Sequence, residues 1–431
     1  MEIDGRCLRI HKFLYGQRGA PLAWNQAFHD FLVSIGGKPS IHDECLYLFE
    51  VKKPKKDSKI QSQEGEVTQL NYENYGGAPE RAYAGLHVDD AKFTGPDIFI
   101  EKFEQSLSAR FPTKLMGEEK KFVGVETKRN FEAKTIQKSM KQAITSMSEK
   151  WGMGDCKPSY TPMETHLVLS PCSGVNGDDV LSEEKIREYQ SKVGSCMHMC
   201  VHTRSGVEYA TKACSRFLKS PGMKHMVAVD RTVRYLVTTA DKCVIFDCNS
   251  PLVEPISSYV DSNWASAWDA KSTSSGVVMG NGAGLVHFVR TQRLPAHSSC
   301  EAELIAMDDT VREIIFLINL MKEFKMFLKQ PMIIMEDNQS TIALCYNRVQ
   351  QQRSKHIDTR YFYIRHVIQT GLVKVLYVPS DCNAADCGTK PLGEALFSKH
   401  TDVIFGTAEA DVRGVKSLRK GAKRLKNASR T

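Results

Sequence analysis

The sequence predicts an α/β (α+β) chain in which a helix-and-hairpin module precedes a mixed-sheet domain. Three observations predict it. The C-terminal part alternates three strands, helix, strand, helix, strand, helix; the N-terminal part sets an amphipathic helix before a hairpin; and acids stand where several of these elements begin or end.

The first helix follows Leu14-Tyr-Gly-Gln-Arg-Gly-Ala-Pro-Leu-Ala-Trp24, with Phe28, Phe31, Leu32 and Ile35 on one face and Gly36-Gly37 as its stop. The lysine-rich stretch from Lys52 to Pro79 reads as a loop between strands. Arg81–Leu86 and Ala91–Thr94 then form a hairpin around His87-Val-Asp-Asp90. Asp89 and Asp90 at its tip are either turn formers or a pair of metal ligands. Phe103, Leu107 and Phe111, then Lys121–Glu126, follow the hairpin. Residues 171–179, rich in Gly, Ser and Asp, are the best linker.

In the C-terminal part, Ile256–Val260 is extended and Asp261 closes it. Gly276–Met279 and Leu285–Val289 flank Asn281-Gly-Ala-Gly284, giving two further antiparallel strands. Ser298-Ser-Cys-Glu301 has capping-box spacing, and Leu304, Ile305, Val311, Ile314, Ile315, Ile318 and Met321 follow with helical period, so Glu303 falls in the first turn. Met332–Met335 is a short buried strand, and Asp337 stands off its tip. Ile357, Tyr361, Ile364 and Ile368 share a helical face that stops at Gly371; Leu372–Val378 is the last strand, and Asp386 opens the closing helix.

Carboxylates at strand and helix ends suit in-line cleavage of a phosphodiester, because two Mg²⁺ ions about 3.5–4 Å apart can stabilise both the attacking and the leaving oxygen. Mg²⁺ takes oxygen ligands and keeps several waters, so a few carboxylates and a substrate phosphate suffice. Glu301 shares a turn with Glu303 and competes with it for the helix position, while the bland reading of Asp261, Asp337 and Asp386 is solvated strand ends and a helix N-cap.

The element order is that of the ribonuclease H fold. The runs YVDSNWA (259–265), KSTSSG (271–276), SSCEAEL (298–304), EDNQSTIAL (336–344), RSKHIDTRY (353–361) and NAADCGTKPL (383–392) resemble the ribonuclease H of Copia-type retrotransposon Pol polyproteins. The resemblance implies that Asp261, Glu303, Asp337 and Asp386 hold two Mg²⁺ ions and that water cleaves the RNA strand of an RNA–DNA hybrid. It also implies nucleic-acid contacts from Arg353, Lys355, His356 and Arg360. From the residues alone, His356 is equally a contact to nucleic acid, a positioning group, or part of a polar helix entry with Asp358 near the positive dipole end. Val378–Asn383 lacks the histidine that cellular ribonucleases H often carry before the last acid.

Upstream, Leu14–Trp24 and the Asp89–Asp90 hairpin resemble the template-positioning segment and the Tyr-Val-Asp-Asp motif of the family's reverse transcriptase, with His87 in place of Tyr and Gln17-Arg-Gly19 in place of Leu-Lys-Gln. Phe103, Leu107 and Phe111, then Lys121–Glu126, resemble the family's helix and next strand after that hairpin. Ser159–Met163, Tyr189–Ser195, Ser215–Pro221 and Val233–Leu236 resemble its connection region, with Arg204-Ser-Gly206 in place of Arg-Pro-Asp. The resemblance covers residues 8–395. It implies a truncated reverse transcriptase palm and thumb at 1–150, a connection region at 151–250, a ribonuclease H-like domain at 251–395 and a basic tail at 396–431. The family's first polymerase Asp lies on a strand upstream of Leu-Tyr-Gly, where this sequence offers only Glu2 and Asp4, so polymerase activity is expected to be lost. The contrasting expectation is a decayed or domesticated nucleic-acid-binding protein without catalysis.

With 431 residues and 42% hydrophobic content the chain can bury two or three cores. No apolar run approaches the ~18 residues that span a membrane, so no membrane partner is expected. The 13 cysteines show no paired C-x-x-C pattern, which argues against zinc and against a disulfide framework. The net charge of +8 resides in Arg413–Arg430, which holds eight Lys and Arg and no acid; such a segment attracts phosphates, serves as an import signal, or is merely solvated. The expected partners are an RNA–DNA hybrid, a template–primer and other Pol or Gag products, in a cytoplasmic virus-like particle or the nucleus.

Overall fold

The structure, a computed structural model, describes residues 2–3, 6–7, 17–51, 80–172, 180–249, 256–326, 328, 330–346 and 358–408. It divides into two compact units, residues 1–123 with 319–326, and residues 124–318 with 327–431. The expected loop at 52–79, most of the linker and the basic segment after residue 408 lie outside the described residues.

The first unit opens with the short strands β1 (Glu2–Ile3) and β2 (Arg6–Cys7). Helix α1 (Ala20–Ser34) carries Pro21 in its first turn, where the missing N–H costs nothing. It ends as the glycines predict: Gly36 takes φ +93° and the Gly37 amide donates back to Leu32 O at 2.8 Å, closing the helix with a left-handed residue that only glycine adopts freely. Strands β3 (Lys38–Pro39), β4 (Leu46–Val51), β5 (Glu80–His87) and β6 (Asp90–Thr94) form one antiparallel sheet in that order. Helix α2 (Asp97–Arg110) covers it with α1. Phe28, Phe31 and Leu32 meet Tyr47, Phe49, Phe99, Phe103 and Leu107 in an aromatic core, each large side chain contributing ~1.5–3 kcal/mol by burial. Strand β7 (Lys121–Phe122) follows.

The second unit begins with β8 (Val125–Asn130), β9 (Thr135–Ser139) and α3 (Lys141–Lys150). Helices α4 (Glu183–His202), α5 (Glu208–Ser215) and α6 (Met223–Thr238) come next, then β10 (Val244–Asp247), which pairs antiparallel with β9. The five-stranded mixed sheet comprises β11 (Ser257–Asn263), β12 (Thr273–Gly280), β13 (Ala283–Thr291), β14 (Met332–Glu336) and β15 (Val373–Tyr377), ordered β13-β12-β11-β14-β15. The first three run antiparallel as a meander, while β14 and β15 run parallel to β11, as the ribonuclease H topology requires.

Strand alternation splits this sheet's side chains between two cores. Val260, Val278, Met332, Ile334 and Val375 pack under α7 (Ser299–Glu323) and α9 (Asp358–Gln369). Tyr259, Val277, Met279 and Met335 pack with Val193, Val229, Val233 and Leu236 of α4 and α6. The stretch read as a connection region therefore shares one core with the sheet.

Two details differ from expectation. A short helix, α8 (Gln339–Tyr346), stands between β14 and α9. Asp386 does not open the closing helix: it lies in a 3-10 turn, Ala384–Gly388, and helix α10 (Glu394–Ile404) starts after Pro391 and Gly393. Since α10 takes up residues 394–404, the first part of the expected tail at 396–431 is helix, with Phe397 and Ile404 buried.

Candidate metal centre

Parallel pairing brings Asp261 and Asp337 together. Tyr259 of β11 sits opposite Met335 of β14, and carrying this register two residues further puts Asp261 level with Asp337 on the same side of the pleat. Ser298 Oγ accepts the Glu301 amide at 3.2 Å, fixing the start of α7, and the Glu301 carboxylate accepts the His297 amide at 2.7 Å. Glu301 is thereby used as a cap, and Glu303 is the α7 acid that enters the cluster. One ligand oxygen from each of Asp261, Glu303 and Asp337 lies within 4.8 Å of the others.

Asp386 joins from the 3-10 turn. Asn383 Oδ1 accepts the Ala385 amide at 3.2 Å and Asn383 Nδ2 donates to Val260 O at 2.8 Å, tying the turn to β11. Gly388 lets the turn lie directly on β12, because a Cβ there would stand 2.2 Å from Ser275 Oγ. Asp386 stands close enough to Asp261 for each carboxyl to influence the other's charge. The next two residues supply donors: the Thr389 hydroxyl donates to Asp261 Oδ2, and the Lys390 ammonium pairs with Asp386.

These carboxyls are held in a dry, like-charged place. Asp261 is 4% exposed, and its burial, with Asp386 and Asp337 close by, pushes it up to about 8. Burial and then Glu336 raise Glu303 well above the carboxylate range; burial also raises Glu336 and Asp386, the latter opposed by Lys390. Glu303 Oε2 is buried without a hydrogen-bond partner among the described residues. Hard oxygen donors, an orphaned buried oxygen and carboxyls crowded against one another are the donor set a divalent cation such as Mg²⁺ satisfies.

Glu336, Thr389 and Lys390 were not singled out from sequence. Glu336 is fully buried and accepts the Asn338 amide through Oε1 at 2.8 Å, bracing the turn that carries Asp337. Its neighbour at the strand tip masked it, although an acid in phase with Met332 and Ile334 has to be buried. Lys390 was visible as a cation four residues after Asp386.

Asp89 and Asp90 are brought to a hairpin tip as expected, with Val88 and Asp89 as the two-residue turn, and both acids are exposed. Val88 takes φ +57°, a strained position for a β-branched residue, and Trp24 Nε1 donates to its carbonyl at 3.0 Å. Among the described residues neither acid belongs to a group of three possible metal ligands. Arg353, Lys355 and His356 lie outside the described residues. Arg360, half exposed, reaches Asp308 of α7, with Nε 3.5 Å from Oδ2.

No protein-family model matches the chain. It is 29% identical over 398 residues to the retrovirus-related Pol polyprotein from transposon TNT 1-94 of Nicotiana tabacum, covering 92% of this chain and 28% of that one. It is 28% identical to the Pol polyprotein from transposon RE1 of Arabidopsis thaliana, over 92% of this chain and 25% of the relative. The resemblance to Copia-type Pol sequences read from the motifs is borne out, and the chain spans about a quarter of the length of these relatives. Among solved structures, LC11-RNase H1, isolated from compost by a metagenomic approach, aligns with 32% of this chain and 94% of its own at 14% identity and TM-score 0.25.

Proposed function

From the premise that the chain is similar to Copia-type Pol polyproteins, we propose that residues 251–395 act as a divalent-cation-dependent ribonuclease H, hydrolysing the RNA strand of an RNA–DNA hybrid. The observation that carries this reading is the convergence of Asp261, Glu303 and Asp337 within 4.8 Å, from β11, the tip of the adjacent β14 and helix α7. Magnesium ions bound there would neutralise the clustered charge and polarise the scissile phosphate.

The chain's own residues prepare the site. Asp261, Glu303 and Asp337 offer hard oxygen donors from rigid elements, Thr389 fixes the rotamer of Asp261, and Glu336 steadies the Asp337 turn. Burial keeps bulk water from screening these charges. Basic residues at Arg353, Lys355, His356 and Arg360 would hold the hybrid's phosphates in the same reading, with Arg360 leaving Asp308 to do so.

The reverse transcriptase portion, in this reading, holds a template–primer without extending it, since Asp89 and Asp90 share no three-ligand group among the described residues. The site of action is a virus-like particle or the nucleus, alongside other Pol or Gag products; no described helix is long and apolar enough to cross a membrane.

Cleavage of a labelled RNA–DNA hybrid with Mg²⁺, comparing the intact chain with Asp337→Asn, tests the proposal. Cleavage by the wild type that the variant loses supports it. Equal cleavage by both removes the assignment of cleavage to this cluster, and hybrid binding with cleavage by neither leaves a binding protein without catalysis.

A further inference from the structure

The three-acid cluster and Asp386 differ in one respect that bears on how cations load. Among the described residues Asp386, nearly buried, is paired directly with the Lys390 ammonium, whereas Asp261 and Asp337 feel that charge only at longer range and Glu303 has no ion pair. The adjacent residue, Thr389, donates its hydroxyl to Asp261 Oδ2. Both donors follow the 3-10 turn that Gly388 seats on β12, so one rigid piece of chain delivers a hydroxyl to Asp261 and an ammonium to Asp386.

We propose that Lys390 is the resident counter-ion of Asp386 and that loading is sequential: the first divalent cation binds Asp261, Glu303 and Asp337 directly, and the second enters only by displacing the Lys390 ammonium. The inference rests on the ribonuclease H reading. A lysine suits the role because its ammonium is a compact point charge on a flexible stem, and this one is 42% exposed, with room to withdraw into solvent. An ion pair must be broken before the second site exists, so its affinity is lower by the strength of that pair.

Mn²⁺ binding to the full chain, followed by the electron paramagnetic resonance of the free ion, counts ions directly and without substrate. The wild type is expected to bind one ion tightly and a second at least about tenfold more weakly, a gap of ~1.4 kcal/mol. Lys390→Gln should bring the second ion to within about threefold of the first while shifting the first by much less, and Lys390→Arg should keep the weak second site. Circular dichroism melts verify that each variant is folded. A second affinity unmoved by Lys390→Gln, equal shifts in both affinities, or a single ion in both proteins overturns the inference. The same preparations cleaving hybrid would show that the nuclease reading survives that failure. No ion bound by the wild type, with no cleavage, removes both.

Discussion

The Glu208 carboxylate at the start of α5 accepts the Val289 amide of β13 at 2.8 Å and meets His287 Nδ1 on the same strand. Strand β13 is the outer strand of the five-stranded sheet, where an unpaired N–H invites another chain to pair. One side chain therefore closes part of an exposed ladder and fastens the helical layer to the sheet.

Replacing Glu208 by Ala should cost ~1–3 kcal/mol, because the Val289 amide loses its acceptor at a half-covered edge. Urea unfolding monitored by fluorescence measures it. Glu208→Gln, which keeps a carbonyl acceptor, should lose less. A Glu208→Ala midpoint equal to that of the wild type contradicts the role.

The clustered acids make metal-free stability depend on pH. Asp261 titrates at about 8 when folded against 3.8 ordinarily, so over that interval the folded protein keeps a proton that the unfolded chain has released. Its contribution is full below the ordinary value and is lost as pH rises through about 8. Chelator-treated wild type should therefore melt at falling temperature as pH is raised, and Asp261→Asn should flatten the curve, gaining on the order of 2 kcal/mol at alkaline pH. Added Mg²⁺ should restore the wild type and leave the variant unchanged. Calorimetry with and without chelator reads both effects.

Glu336 is predicted to act through its hydrogen bond rather than its charge. Glu336→Gln retains an acceptor for the Asn338 amide and should keep hybrid cleavage within about threefold, whereas Glu336→Ala frees the turn bearing Asp337 and should lose at least about tenfold. Steady-state cleavage rates of the two variants separate the roles. A larger loss in Glu336→Gln would reassign Glu336 as a ligand.

His400, on α10, is 1% exposed, and burial followed by Lys399 pushes its imidazole down to about 4. The folded state refuses a proton that the unfolded chain accepts below about 6.5, so this stabilisation is full above that pH and is lost as pH falls toward 4. His400→Met should lessen the acid sensitivity by on the order of 3 kcal/mol at the low end of that range. Urea titrations at neutral and mildly acidic pH measure it, and identical pH slopes in both proteins would contradict the assignment.

Much of this was legible because it is local. Gly36-Gly37 ended α1, the tip His87–Asp90 marked a hairpin that the structure tightens to a two-residue turn, and the β12–β13 turn declared itself through Asn281-Gly282. The acids Asp261, Glu303, Asp337 and Asp386 were read from the short runs around them; the structure puts Asp261 inside β11 and Asp386 in the 3-10 turn, and only the approach of Asp261 to Asp337 follows from strand order. Helix α8 escaped notice because eight residues leave too little periodicity to distinguish a helix from a loop. The turn at Asp386 was read as helix although Gly388, Pro391 and Gly393 interrupt any continuous helix there. The shared core between α4, α6 and the sheet depends on contacts far apart in sequence, which no local pattern encodes.

The alignment of β11 with β14 has one more consequence. Sliding β14 by a single residue would turn Asp337 to the opposite surface and present Glu336 to Asp261 in its stead. Capture of a cation by Asp261, Glu303 and Asp337 during refolding would thus report that the chain had zipped in the right frame, before any substrate was offered.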